Sequence, residues 1–119
     1  MIKEPTWIIH GVCDKDKDTV VYHTHGLEEY NSLELELNLS LEQKQAMRFL
    51  NLIGLKIANG IGFKNGDSDN SIFNCEVFFK EVDGIYRNGN RRMLRVILPD
   101  PNFKFPWEDG CVEPYKSQL

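Results

Sequence analysis

SLEQKQAMRFLNLIGLKIANG, residues 40–60, carries the repeat of an amphipathic helix, and the rest of the chain is organised around it. Leu41, Ala46, Phe49, Leu50, Ile53 and Ile57 recur at three- and four-residue steps, so they line one side of a helix. Met47, Leu52 and Leu55 widen that stripe, which predicts a helix half sunk in a core. Ser40 and Gln43 have the spacing of a capping box, each side chain satisfying the other's free backbone N–H. Asn59-Gly60 supplies the stop, since glycine enters the left-handed conformation there without strain. A helix over 41–58 follows.

Upstream, WIIHGVC (7–13) and TVVYHTH (19–25) are rich in Val, Ile, Thr and aromatics, and the polar DKDKD between them predicts a hairpin. Leu33, Leu35, Leu37 and Leu39 then alternate with Glu34, Glu36 and Asn38, the period of a strand with one face buried and one wet. Downstream, residues 60–71 read as a glycine- and asparagine-rich loop. IFNCEVFFKEV (72–82) and RMLRVIL (92–98) read as two more strands, with Asp83-Gly84 and Asn88-Gly89 as turns. Pro99, Pro101, Pro106 and Pro114 interrupt regular structure beyond them. The expected fold is α+β, a single domain over residues 1–119. About five strands form a mainly antiparallel sheet, one long helix covers one face, and an irregular Pro-rich C-terminal strap is anchored by Phe103, Phe105, Trp107 and Tyr115.

The 119 residues suffice for one core burying roughly two-thirds of the unfolded surface. Apolar runs fall far short of the roughly 20 residues a membrane span needs, and Met-Ile-Lys-Glu-Pro has no signal-peptide core. A cytoplasmic protein with no membrane partner is expected. Cys13, Cys75 and Cys111 are odd in number and far apart, which points to reduced thiols. A net charge of −4 argues against a nucleic-acid partner. The arginines between Arg87 and Arg95 read as a solvated loop entering a strand, with an anion patch as the alternative.

His23 and His25 stand two apart on a predicted strand, so both imidazoles point the same way, and His10 joins them if the hairpin register permits. Convergent imidazoles suit zinc or another divalent transition metal, with Asp100 as a carboxylate ligand. A polar strand edge is the plainer reading. Cys13 could approach the histidines and is the thiol to test for reactivity. Asn65, Asp67, Asp69, Ser71 and Glu76 fall at calcium-loop spacing but lack its glycine, so a simple connection is expected. Trp7, Tyr22, Phe79 and Trp107 either line a ligand pocket or complete the core.

Tyr22-His23-Thr24-His25-Gly26-Leu27 followed by Leu33-Glu34-Leu35 resembles the "YTHGL…HPEL" opening of the bacterial domain-of-unknown-function family 4262. The tail, Leu94 through Pro99-Asp100 and Phe105-Pro106-Trp107 to Gly110-Cys111 and Glu113-Pro114-Tyr115, is similar to that family's "PD…fPW…GC.EPY" ending. The likeness spans nearly the whole chain, in a short form with Asn31-Ser32 where the family has Gly-His. It implies a bacterial, cytosolic domain with no assigned activity. It also marks His23, His25 and Gly26, together with Pro99-Asp100 and Trp107, as a functional surface, with His23, His25, Asp100 and Trp107 as the binding residues. The residues offer no convincing acid/base or nucleophile arrangement, and one sheet with one helix leaves little room for a deep cleft. The expectation is a non-enzymatic interaction module that needs no cofactor and takes a protein partner or a second copy. The alternative is a metal-binding protein or metal-dependent enzyme using His10, His23, His25 and Asp100.

Overall fold

The computed structural model describes residues 7–14, 19–72, 75–83 and 92–119. The turn dipeptides at 83–84 and 88–89, Arg87, Arg91, and all but the first residue of DKDKD lie at least partly outside them. The β-rich runs form strands: Ile8–Asp14 (β1), Thr19–His25 (β2), Leu35–Leu37 (β3), Val77–Asp83 (β5) and Arg92–Ile97 (β6). β3 and β5 are shorter than the sequence reading, since Leu33 and Leu39 lie outside β3 and Ile72, Cys75 and Glu76 lie outside β5, with residues 73–74 outside the described ones. The helix is Gln43–Ala58 (α1), and Ser68–Asp69 (β4) is a two-residue strand in the loop that follows it. The sheet order is β1-β2-β3-β6-β5-β4.

The sheet thus has six strands where about five were expected, and it is mixed, because β3 and β6 run parallel while the other neighbours are antiparallel. β4 is too short to leave a period-two signature. The parallel pair follows from α1, which returns the chain to the end where β3 began. The β4–β5–β6 meander then brings β6 alongside β3 in the same direction.

Ala46, Leu50, Ile53 and Ile57 of α1 pack on Tyr22, Leu35, Leu37, Phe79, Leu94 and Val96 of the sheet. The predicted stripe is the buried one. Gly54 sits within it because the Trp7 indole packs against the helix there: a Cβ at 54 would stand 2.6 Å from the Trp7 ring. The indole Nε1 donates to Asn51 Oδ1 at 2.9 Å. Trp7, Tyr22 and Phe79 therefore complete the core instead of lining a ligand pocket.

The helix ends as expected. Gly60 has φ 97°, its amide donates to the Ile57 carbonyl, and the Ile61 amide donates to that of Lys56. The start differs. Glu42 precedes the first turn without a side-chain cap, and Ser40 Oγ accepts the Val20 amide at 2.9 Å. β3 ends at Leu37, opposite Tyr22, so it offers Val20 no strand partner. Ser40 fills that gap instead of capping the helix.

The second face of the sheet is covered at β3 and β6, contrary to the expectation of a wet side for β3. Glu34 and Glu36 are 4% and 1% exposed. Arg95 donates to Glu36 Oε1 from Nε at 2.8 Å and lies 2.7 Å from it through Nη2, while Nη1 donates to the Gln118 carbonyl. The buried Gln118 amide accepts from Leu98 N and donates to Leu98 O, which clamps the strap to β6. Period two identifies residues that share a face; it does not say whether water or another segment covers that face.

Polar groups anchor the strap more than its aromatics do. Phe103 and Trp107 are 67% and 53% exposed, whereas Tyr115 packs against the core. The Arg87–Arg95 patch also dissolves where it is described. Arg95 is buried, and Arg92 pairs with Glu81 and Asp83, both at 3.0 Å.

Candidate functional site

The β1–β2 register sets His10 directly opposite His23, and the two-residue step from His23 brings in His25. All three histidines of the chain meet there. His10 and His23 stack with ring centres 5.4 Å apart, and His25 stands edge-on to both at 4.9 and 4.8 Å. The Nε2 atoms of His23 and His25 are 3.1 Å apart. The row continues across the sheet, since His23 opposes Glu36, Glu36 opposes Arg95, and Arg95 opposes Lys80.

His23 is 3% exposed. Burial pushes its pKa down to about 4, and the neighbouring His25 and His10 add to the shift. It is neutral in the folded protein at pH 7. The unfolded chain takes up its proton near 6.5, so between pH 6.5 and 4 the unfolded state binds more protons and stability falls as pH drops. We expect this group to remove up to about 3 kcal/mol across that window, at about 1.36 kcal/mol per pKa unit. Urea unfolding at pH 7 and pH 4.5 measures the loss. A His23→Asn variant should show a visibly shallower pH slope; an unchanged slope would remove His23 as its source.

The strap builds a second feature. Phe105 stacks parallel on Trp107 at 4.9 Å, and Phe78 of β5 meets the same indole edge-on at 5.0 Å. With Phe103, Glu76 and Glu108 they line an open groove of about 450 Å³. Phe103 has φ 62°, a left-handed backbone rare for a bulky side chain. Its amide donates to the Asp100 carbonyl, and the Asp100 amide donates to Lys104 O, which fixes the turn.

The family model for "Domain of unknown function (DUF4262)" matches residues 1–112. The chain belongs to the DUF4262 family. No curated protein and no solved structure matches it significantly.

Within this DUF4262 fold the two resembling stretches divide into structural and exposed parts. On β2, Tyr22 points to the helix side and donates to Leu41 O, while Thr24 Oγ1 donates to Glu34 Oε1 and accepts from Leu35 N. Glu34 also accepts the amides of Gly26, Leu27 and Glu28, so one carboxylate takes four donors. Gly26, at φ 116°, makes the bend that aims these amides. Sequence reading gave Glu34 no role, and the only signal was its place within the resembling stretch.

Asp100 in this chain is a loop organiser. It lies past the end of β6, whose Arg95 is level with His23, and so beyond the far end of that strand from His25. Its carboxylate accepts the amides of Asn102, Lys104 and Val112. Burial opposes its charge, but the amides of Lys104, Val112 and Asn102 outweigh it and hold the pKa below the usual carboxylate range. The structure therefore does not bring Asp100 to the imidazoles.

Cys13 pairs with Val20 on the face opposite His10, so it does not approach them either. Cys75 and Cys111 are pushed up by burial. Among the described residues, no group of three or more His, Cys, Asp or Glu is arranged to hold a metal ion. In the loop at calcium-like spacing, Asn65, Asp67 and Asp69 accept from Glu81, Lys64 and Ser71 respectively.

Proposed function

We propose that this DUF4262 domain is a non-enzymatic interaction module that takes a protein partner on the aromatic groove of its strap. The observation that carries this reading is Phe103, a bulky residue at φ 62° whose ring is two-thirds exposed. Such a backbone costs on the order of 1–3 kcal/mol. The ring recovers little of that inside the fold, so the expense points to something outside it. Trp107 beside it adds the amphipathic surface common at the centre of interfaces. Three free thiols and the resemblance support a reducing bacterial cytoplasm as the setting. Among the described residues no helix is long and apolar enough to cross a membrane.

The test is a Phe103→Ser/Trp107→Ser double variant. Both side chains are exposed, so its melting temperature should stay close to that of the parent. Partner recovery from the native cell extract, or dimer formation by sedimentation if the partner is a second copy, should fall at least tenfold. Equal recovery and equal sedimentation with both chains would defeat the reading.

The 3.1 Å spacing of the His23 and His25 Nε2 atoms, which is hydrogen-bond distance between the two rings, also suits a second reading, a transition metal held by that pair. Two nitrogens bonded to one ion at about 2.0–2.1 Å stand at a similar separation. Elemental analysis of untagged protein decides it. At least about half an equivalent of zinc, nickel or copper, with a melting point raised by added zinc, is the expected result. Less than about a tenth of an equivalent and no shift would end it.

A further inference from the structure

We infer that the strap groove recognises an arginine side chain presented by a basic peptide segment of the partner; this rests on the interaction-module reading above. The groove combines four aromatic side chains with two carboxylates, Glu76 and Glu108, and among the described residues neither Lys nor Arg lines it. Lys104 stands between Phe103 and Phe105 in sequence but is not among the described residues that line the groove. A cation placed in the groove therefore meets aromatic faces and negative charge together.

The shape of the walls selects among cations. Phe105 covers one face of the Trp107 indole and Phe78 abuts it edge-on, yet more than half of Trp107 remains exposed. A planar guanidinium stacks on such a face and still directs its N–H fork at a neighbouring carboxylate. A compact ammonium approaches as a point charge and gains less from the stack. Glu108 is held at the wall by accepting the Phe105 amide on Oε1 at 3.0 Å. The protein's net charge of −4 adds a long-range preference for basic partners.

Selection from a displayed random dodecapeptide library on the whole folded chain tests this, because the library itself is the probe. Arginine should be enriched at one position. In the winning peptide, Arg→citrulline, which keeps the shape and loses the charge, should weaken binding at least tenfold, and Arg→Lys about threefold. Glu76→Gln with Glu108→Gln should weaken it at least fivefold and flatten its salt dependence, the glutamine at 108 retaining an acceptor for the Phe105 amide. Failure to enrich any peptide, enrichment without arginine, or indifference to citrulline would each overturn the inference. If the Phe103/Trp107 double variant still loses its partner while citrulline is tolerated, the interaction surface stands and only the arginine assignment falls.

Discussion

Arg95→Leu should lower the unfolding free energy by about 3–5 kcal/mol, the cost of leaving one member of a buried ion pair without its partner. Glu36 is 1% exposed and receives both Nε and Nη2 of Arg95 on a single oxygen. Without the guanidinium its buried charge loses these two donors. The strap also loses the bond from Nη1 to the Gln118 carbonyl. For a domain whose total stability is about 5–15 kcal/mol, that loss brings a large unfolded fraction near physiological temperature.

The companion variant makes the claim specific. Glu36→Leu combined with Arg95→Leu removes both charges and should recover most of the loss, to within about 2 kcal/mol of the parent. Urea titrations of the three proteins followed by circular dichroism give the comparison. A single variant within about 1 kcal/mol of the parent, or a double no better than the single, would mean that the pair does not hold the two segments together.

Glu34→Ala is expected to cost at least about 3 kcal/mol, since four donors lose one acceptor and each buried unsatisfied donor costs about 1–3 kcal/mol. Those donors are Thr24 Oγ1 and the amides of Gly26, Leu27 and Glu28. The signature is local. Hydrogen exchange at Leu27 and Glu28 should accelerate beyond the global change, while amides at Leu50 and Ile53 slow or quicken only with overall stability. Because Gly26 follows His25 directly, release of this bend should also disturb the imidazole group and alter the acid-side slope attributed to His23. Uniform acceleration across the chain would show that Glu34 contributes to general packing and not to a discrete latch.

What could be read beforehand divides by the range of the interaction. The stripe Ala46–Leu50–Ile53–Ile57 and the Gly60 stop are written within a few residues of one another, so periodicity and turn chemistry reveal them. The meeting of His10, His23 and His25 needs only strand period and hairpin register, both local. Ser40 looked like a cap because its competitor, the Val20 amide, lies 20 residues away. Glu36 looked wet because its partner Arg95 is 59 residues distant. Asp100 looked like a ligand because a carboxylate's type does not disclose that three backbone amides already occupy it. The strap aromatics looked like anchors for a related reason: alternation of Phe103, Phe105 and Trp107 does not tell inward from outward. Glu76 and Phe78 acquire their place in the groove only when β5 comes under the strap.

The two tryptophans occupy opposite extremes of environment, Trp7 sealed against Gly54 of the helix and Trp107 open on the strap. Their emission should separate by wavelength, the shielded indole to the blue and insensitive to iodide, the outer one to the red and readily quenched. Trp7 then reports cohesion of the molecule and Trp107 reports what settles upon it, so a single unlabelled sample distinguishes a variant that has lost its shape from one that has lost its grip.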